Sequence, residues 1–177
     1  MGAGEIVIIS GPPGSGKTTV AGALAEAATL GVHLESDCFY RFVKGGFIAP
    51  HLPESHQQNI VVMDVCITAA SNYAAGGYTV FWDGVVGPWF LDQIRLGLGN
   101  HDIQPRYLVL RPTRDVALQR VRGRDGATEL SGAEKMYDEF AELGRFESHV
   151  LNSDTSPSEL VAACQRAMTD DRFILTS

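Results

Sequence analysis

Eight residues near the start of the chain combine glycine, lysine and threonine at the spacing G-x-x-x-x-G-K-[ST], as Gly11-Pro-Pro-Gly-Ser-Gly-Lys-Thr18. The glycines let the backbone curl so that successive N–H groups point inward and bind a phosphate. Lys17 can place its ammonium on the β- and γ-phosphates of a nucleotide, and the Thr18 hydroxyl can ligate a Mg²⁺ that bridges them. The pattern therefore predicts a site for a nucleoside triphosphate with Mg²⁺.

The segments on either side of this phosphate loop (residues 11–18) are those that such a site requires. Residues 5–10 form a short β-branched apolar run that is typical of a buried parallel strand. Residues 18–28 are rich in alanine, which suits a helix whose positive end adds to the anion site. The predicted nucleotide-binding residues of this segment are Gly14, Ser15, Gly16, Lys17, Thr18 and Thr19.

The rest of the chain alternates predicted strands with predicted helices. Further strands are predicted at 32–35, 78–82, 107–110 and 149–152, and further helices at 37–43, 53–75, 88–98, 113–121, 131–146 and 156–168. This alternation predicts an α/β fold of three layers, in which helices cover both faces of a parallel sheet. Ligands of such sheets collect at the carboxyl ends of the strands, so the residues that follow a strand are candidates for chemistry.

Asp37 follows the second predicted strand, within Glu35-Ser-Asp-Cys-Phe-Tyr-Arg41. A carboxylate there can face the γ-phosphate, accept a proton from a substrate hydroxyl and orient that oxygen for in-line attack. The alternative role is that of a helix N-cap, which aspartate also favours. Ser36 competes for the N-cap position, which leaves Asp37 freer to act, but the spacing alone leaves both roles open.

Asp83 directly follows the predicted strand at 78–82 and precedes Gly84. In phosphate-loop proteins an acidic residue at this point often holds Mg²⁺, directly or through water. The glycine would let the backbone or a substrate approach closely. An Asp-Gly turn is the alternative, and we favour the metal role.

Three arginines, Arg120, Arg122 and Arg124, lie where a predicted helix breaks at Gly123 and a polar loop follows. A loop over about 122–132 that carries arginines above a triphosphate would act as a lid, because guanidinium groups neutralise charge on the transferring phosphoryl group. Arg124 or Arg122 would reach the phosphates, and Arg120 would lie over the adenine ring. A solvated helix face is the alternative.

Polar residues around the start of the long predicted helix indicate where an acceptor would bind. We predict an acceptor region over about 37–60, although polar residues are common at helix starts for other reasons. The predicted acceptor contacts are Phe39, Arg41, His56, Gln57 and Gly84.

Length, charge and cysteine content narrow the class of protein. The 177 residues predict a single domain over 1–177, and 45% hydrophobic with 20% charged residues is ordinary for a globular chain. A net charge of −7 disfavours nucleic acid and anionic membranes as partners. We expect no signal segment and no membrane span. Three widely spaced cysteines predict reduced thiols in a cytoplasmic protein. We also expect the protein to be a monomer or a homodimer.

The chain resembles the small phosphate-loop kinases, nearest to the chloramphenicol phosphotransferase-like and zeta-toxin-like group. The resemblance rests on the phosphate loop, Ser36-Asp37, Asp83-Gly84 and the arginines at 120 and 124. It implies a five-stranded parallel sheet in the style of nucleoside-monophosphate kinases, with a short arginine-bearing lid. By this resemblance Asp37 is the catalytic base, Thr18 is the Mg²⁺ ligand, and Arg120 and Arg124 are lid arginines. The catalytic set is then Asp37, Lys17 and Arg124.

Two classes of function fit these residues. The first is a kinase that uses ATP and Mg²⁺ to phosphorylate a hydroxyl of a small molecule: a sugar, a nucleoside-like compound, or an antibiotic, which would imply a role in resistance. Arg41 is the one arginine between Asp37 and Asp83, which favours a neutral acceptor because phosphate-bearing acceptors usually require more. The second is an ATP-binding or ATP-hydrolysing switch without an acceptor. The sequence lacks the Asn-Lys-x-Asp motif of GTPases, and Gly84 stands where an AAA-type motor needs a second acid.

Overall fold

The computed structural model describes residues 4–99, 103–125 and 130–176, except for the side chains of residues 124 and 125. Its five strands are β1 (Ile6–Ser10), β2 (Gly31–Glu35), β3 (Thr79–Asp83), β4 (Arg106–Arg111) and β5 (Val150–Asn152). They form one sheet in the order β2-β3-β1-β4-β5, with every strand paired in parallel. The predicted five-stranded parallel sheet is confirmed.

Helices cover both faces of this sheet. In the part of the chain that the structure describes they are α1 (Lys17–Ala27), α2 (Ser36–Phe42), α3 (His56–Ala75), α4 (Pro88–Gly99), α5 (Arg114–Asp125), α6 (Leu130–Glu139) and α7 (Pro157–Ala167). Short 3-10 turns lie at Pro53–Ser55, Gly144–His149 and Asp171–Phe173. Among the helices described, none is both long enough and apolar enough to cross a membrane.

The central strand β1 shows why the sequence produces this layering. All of its residues are buried. Ile6 and Ile8 pack in the core that α3 and α4 cover, whereas Val7 and Ile9 pack in the core that α1 and α7 cover. Alternate residues of a strand point to opposite faces, so a strand buried on both faces needs a continuous apolar run. The apolar run from which the strand at 5–10 was predicted meets this requirement.

The register of the sheet brings the candidate residues to one edge. Asp83 of β3 lies beside Ile9 of β1 on one side and beside Glu35 of β2 on the other. The segments that follow β1, β2 and β3 therefore leave the sheet side by side at its carboxyl edge, where open α/β sheets bind their ligands. These segments are the phosphate loop, the start of α2 and the loop that begins at Gly84.

The helix predicted over 131–146 is shorter in the structure. α6 ends at Glu139, and a 3-10 turn over Gly144–His149 leads into β5. Gly144 has a φ of +55°, a left-handed conformation that does not continue an α-helix. The turn buries Phe146, while the backbone N–H of Leu143 donates to Glu147 Oε1 at 2.7 Å.

Glu147 also forms a two-pronged ion pair with Arg111, with N–O distances of 2.9 and 2.8 Å. This pair, together with the Leu143 N–H, lowers the pKa of Glu147 from its ordinary 4.5 to about 2. A carboxyl with a lowered pKa in the folded protein stabilises the fold above pH 4.5, and the stabilisation is lost as the pH falls towards 2.

We therefore expect the Glu147→Gln variant to lose less stability than the wild type between pH 4.5 and pH 2. The difference should be no more than about 1 kcal/mol, because solvent screens this partly exposed pair. Urea unfolding at a series of pH values measures the effect, with Glu142→Gln as a control for the loss of one exposed carboxylate. Equal pH dependence in all three proteins would contradict the assignment.

The helix break predicted at Gly123 is wrong. α5 runs through Gly123 to Asp125, and α6 begins at Leu130. One glycine in a helix costs only about 1 kcal/mol, which neighbouring helical residues can outweigh. The lid predicted over about 122–132 thus consists largely of two helix ends, and residues 126–129 lie outside the described part of the chain.

Candidate active site

The phosphate loop has a backbone shape that requires glycine. Gly11, Gly14 and Gly16 have φ values of +140°, +80° and +95°. A Cβ atom on Gly11 would collide with the carbonyl oxygen of Leu110, and one on Gly14 would collide with that of Ala117. The loop therefore lies directly against the end of β4 and the first turns of α5, which fixes its curvature.

The start of α1 presents backbone donors to this loop. Gly16 is the N-cap residue, and no side chain of the described residues hydrogen-bonds there as a cap. Uncapped N–H groups and the helix dipole together attract an anion such as phosphate. Ser15 is buried within the loop, whereas Thr18 and Thr19 are exposed on the first turn of the helix.

Lys17 folds back across the loop that precedes it. Its Nζ donates to the carbonyl oxygen of Pro12 at 3.0 Å and to Ser15 Oγ at 3.5 Å. These contacts hold the ammonium beside the backbone N–H groups, where a phosphate bound by those groups would meet it. The contact of Lys17 with the β- and γ-phosphates stays a prediction.

Asp37 lies in the first turn of α2, and its side chain is exposed. Neither Asp37 nor Ser36, the two candidates for the N-cap, holds that position, because Glu35 is the N-cap and no side chain of the described residues caps the helix. The Ser36 hydroxyl instead accepts a hydrogen bond from Trp82 Nε1 at 2.7 Å. Trp82 is fully buried, and a buried indole N–H needs such a partner. Asp37 therefore emerges at the carboxyl edge of the sheet with its carboxylate facing solvent.

Asp83 is almost fully buried at the end of β3, with 5% of its surface exposed. Its Oδ2 lies 3.1 Å from His33 Nε2, and His33 Nδ1 lies 3.9 Å from Glu35 Oε1. The hydrogen bond to Asp83 raises the pKa of His33 above its ordinary value. The sequence analysis missed both His33 and Glu35. Their two-residue spacing on one strand, which directs both side chains to the same face, was the available signal.

The loop after β3 is fastened to the neighbouring strands. Ser10 Oγ donates to the carbonyl oxygen of Val86 at 2.7 Å and accepts from the Val86 N–H at 3.0 Å, and Tyr107 Oη donates to the same carbonyl at 2.7 Å. A Cβ atom on Gly84 would collide with the Ser36 hydroxyl. Packing against Ser36 of α2 thus requires a glycine at this position. The substrate contact predicted for Gly84 stays a prediction.

Arg120 joins the phosphate loop to the far side of the sheet. Its guanidinium donates to the carbonyl oxygens of Gly14 and Ser153, each at 3.2 Å. Arg120 thus bridges the loop and the end of β5, and its predicted position over an adenine ring stays a prediction. Arg122 is exposed on the same helix, and the side chain of Arg124, the predicted catalytic arginine, lies outside the described residues.

We expect the Arg120→Met variant to bind ATP about tenfold more weakly. The change removes the two charge-assisted hydrogen bonds by which Arg120 connects the phosphate loop to the segment after β5. The loss in affinity is limited because water can hydrogen-bond to the freed carbonyl oxygens. Isothermal titration calorimetry measures the affinity, and Arg166→Met is the control because it removes an exposed guanidinium on α7 to which no role in the site is assigned. An ATP affinity for Arg120→Met equal to that of the control would contradict this role.

Helices α5 and α6 contact each other, and α6 contacts the loop before α3. Arg114 on α5 lies 3.9 Å from Glu134 and 3.6 Å from Asp138, both on α6. Lys135 on α6 donates from Nζ to the carbonyl oxygen of His51 at 3.0 Å. These contacts connect α5, which packs on the phosphate loop, to the segment that precedes α3.

The residues predicted to contact an acceptor have different surroundings. Phe39 is half-buried, packs on the core and makes an edge contact with Phe42 at 5.8 Å between ring centroids. Arg41 is exposed, and its Nη2 lies 2.9 Å from Cys38 Sγ. His56 and Gln57 are exposed on the first turn of α3.

Gln58 and Asn59, two further polar residues at the start of α3, hydrogen-bond to the loop that precedes this helix. Gln58 accepts from the Ile48 N–H at 3.0 Å and donates to the Ile48 carbonyl oxygen at 2.7 Å. Asn59 donates from Nδ2 to Pro50 O and Ser55 Oγ, both at 2.9 Å. The amide side chains thus fix the loop that joins α2 to α3.

The oxygen atoms of Thr18 and Asp83 fit magnesium. Mg²⁺ prefers hard oxygen ligands and is usually held by one or two protein groups together with phosphate oxygens and water. Thr18 supplies a hydroxyl that solvent can reach, and Asp83 supplies a carboxylate oriented by His33. Across residues 4–99, 103–125 and 130–176, no cluster of three or more His, Cys, Asp or Glu side chains could hold a metal. A metal bound mainly through a nucleotide needs no such cluster.

Comparison with known families agrees with this fold. The model of the family described as "AAA domain" matches residues 7–142, well over half of the chain. The chain belongs to this AAA domain family. The matched range contains the phosphate loop, Asp37, Asp83 and both lid helices, so the described site lies within the family's domain. No curated protein matches the sequence.

Several solved structures share the fold over nearly their whole length. The Deinococcus radiodurans tunicamycin resistance protein is 18% identical, with a TM-score of 0.69 and coverage of 93% of this chain and 95% of that one. The Mycobacterium tuberculosis APS kinase, in complex with AMPPNP and APS, is 17% identical, with a TM-score of 0.71 and coverage of 96% and 100%. A Sinorhizobium meliloti gluconokinase is 19% identical, with a TM-score of 0.63 and coverage of 94% and 92%. At these identities the likeness shows the phosphate-loop kinase fold.

Proposed function

We propose that this protein is a kinase that uses ATP and Mg²⁺ to phosphorylate a hydroxyl of an uncharged small molecule. The observation that carries the proposal is the carboxyl edge of the sheet. There the glycine-shaped loop with Lys17 emerges from β1, and Asp37 emerges with a solvent-facing carboxylate from β2. The shared fold with an APS kinase and a gluconokinase supports the assignment.

Each of these residues has a part in an in-line transfer. Asp37 would accept the proton of the acceptor hydroxyl and orient that oxygen towards the γ-phosphoryl group. The Lys17 ammonium and the loop N–H groups would stabilise negative charge that develops on the phosphate oxygens. Mg²⁺, when bound, neutralises charge shared by the β- and γ-phosphates, and Thr18 and Asp83 would hold it. Arg122 and Arg124 on α5 are the candidates for closing over the transferred group.

The charge of the acceptor region supports a neutral acceptor. Arg41 is the one arginine between Asp37 and Asp83 in the sequence, and its guanidinium contacts Cys38 Sγ. A phosphate or sulfate on the acceptor would usually be bound by two or more cationic side chains in fork geometry. We therefore propose a sugar, an antibiotic or a nucleoside-like compound without a phosphate.

We further propose a cytoplasmic monomer or homodimer that acts without a nucleic acid or membrane partner. The net charge of −7 supports this setting, because nucleic acid and anionic lipid repel an acidic surface. The three cysteines are free thiols. Burial raises the pKa of Cys66 and of Cys164 to about 12, which keeps both thiols protonated and unreactive.

A panel of acceptors tests the proposal. The intact protein is incubated with ATP and Mg²⁺ and with sugars, nucleosides, aminoglycosides and other hydroxyl-bearing antibiotics, each beside its phosphorylated counterpart. Products are identified by mass. We expect one phosphoryl group to be added to a neutral member of the panel, and a preference for phosphorylated acceptors would overturn the charge argument.

The family description favours a second candidate, an ATP-hydrolysing or ATP-binding module without an acceptor. Hydrolysis at a rate that no acceptor changes, with no phosphorylated product in the panel, would support this candidate. Gly84 at the position where a motor's second acid would stand argues against an AAA-type motor.

A further inference from the structure

We propose that His33 is a positioning residue for the magnesium–nucleotide site, because its imidazole N–H holds the carboxylate of Asp83 in the orientation that metal binding requires. The inference rests on the proposed function, in which Asp83 helps to hold Mg²⁺. It adds a residue that neither the phosphate loop pattern nor the family match assigns a role.

The contact between the two side chains has the geometry of a charge-assisted hydrogen bond. His33 Nε2 lies 3.1 Å from Asp83 Oδ2, and the exposed fractions of the two side chains are 20% and 6%. A hydrogen bond to a carboxylate in a partly desolvated site is stronger than a neutral one, so it can fix a rotamer. Within the part of the chain that the structure describes, Oδ2 is the Asp83 oxygen that accepts this hydrogen bond from His33.

The surroundings of His33 connect it to both halves of the proposed metal site. Its ring lies against Gly22 of α1, where an added Cβ atom would lie 3.6 Å from Nδ1. The same helix begins with Lys17 and Thr18, the residues of the phosphate loop that would meet the phosphates and the metal. His33 thus contacts both Asp83 and the helix whose first turn carries Thr18.

A purely structural role is the competing explanation. His33 and Asp83 lie on neighbouring strands, so their hydrogen bond also joins β2 to β3. A structural loss would weaken ATP binding equally with and without Mg²⁺. A positioning role predicts that only the part of the ATP affinity that Mg²⁺ adds is lost, because outer-shell partners act through the ligand they orient.

A matched pair of substitutions separates these explanations. His33→Gln keeps an N–H donor at nearly the same distance from the backbone, and His33→Met has similar length without a donor. His33→Asn, which is polar but too short to reach Asp83, is a second variant without the contact. Calorimetry measures ATP affinity in excess Mg²⁺ and in EDTA for each folded protein, and thermal melts check the fold.

We expect all variants to equal the wild type in EDTA. In Mg²⁺, ATP affinity should fall about 10- to 100-fold in His33→Met and His33→Asn, and should stay within about threefold in His33→Gln. A Mg²⁺-dependent gain that survives in the Met and Asn variants would overturn the inference, as would an equal loss in EDTA. A wild type whose ATP affinity Mg²⁺ does not raise would overturn the proposed metal site itself, which distinguishes the two failures.

Discussion

Replacement of Lys17 by methionine is expected to lower kcat/KM for phosphoryl transfer by about 10³-fold. Methionine keeps much of the length and apolar stem of lysine but removes the ammonium. That ammonium lies within the phosphate loop, 3.0 Å from the carbonyl oxygen of Pro12. A preorganised positive group at the transferring phosphoryl contributes several kcal/mol, which accounts for a loss of this size.

Two controls make the Lys17 result specific. Arg166→Met removes the charge of an exposed arginine on α7 and should leave the rate within about twofold of the wild type, because solvent screens the charge of an exposed side chain. Lys17→Arg keeps the charge with a bulkier head group and should recover part of the rate. A Lys17→Met protein that folds normally and retains kcat/KM within about tenfold would contradict the assignment of the phosphate loop.

The second large effect is expected from Asp37→Asn, which should lower kcat by about 10²- to 10⁴-fold. Asparagine keeps the shape of the side chain but cannot accept the hydroxyl proton. ATP affinity should stay within about threefold, because Asp37 emerges from β2 and not from the phosphate loop. Steady-state kinetics and calorimetry together measure this separation of kcat from nucleotide binding.

Glu26→Gln is the control for Asp37, since Glu26 is an exposed carboxylate near the end of α1, outside the predicted acceptor region. It should change kcat by less than about twofold. An Asp37→Asn protein with unchanged kcat would show that another group accepts the proton. Glu35, which lies at the end of β2 beside Asp83, would then be the next carboxylate to replace.

The parts of the molecule that the sequence predicted well are those where local chemistry alone determines structure. The glycines of the phosphate loop are required by their positive φ values and by the collisions that a side chain on Gly11 or Gly14 would cause. Their spacing in the sequence therefore indicates the shape of the loop directly. The apolar run predicted as a strand at 5–10 likewise forms the central strand β1, whose residues 6–10 are buried because both faces of the sheet are covered.

The parts that the sequence did not predict depend on partners far away in the chain. Ser36 could not be distinguished from an N-cap without the buried indole of Trp82, which is 46 residues away. The pairing of His33 with Asp83 spans 50 residues and appears only once β2 lies beside β3. Gly123 looked like a helix end, but the helix continues because its cost is small beside the packing of α5.

The bridge made by Arg120 is a further contact of this kind. Its type and spacing suggested a nucleotide contact, which stays a prediction, but they did not indicate that its guanidinium donates to the backbone carbonyls of Gly14 and Ser153. Those carbonyls come together only when α5, the phosphate loop and the end of β5 meet. A residue's chemistry could thus be read from the sequence, whereas its partner could not.

The fate of the γ-phosphoryl group of ATP tests the central claim most directly. ³¹P NMR follows ATP, Mg²⁺ and the acceptor that the panel identifies, with the wild type and Asp37→Asn measured side by side. We predict that the γ-phosphorus signal is replaced by that of a phosphate monoester of the acceptor, and that this change is slowed at least about a hundredfold in the variant. Appearance of the phosphorus as inorganic phosphate, at one rate in both proteins and with or without the acceptor, would contradict the account.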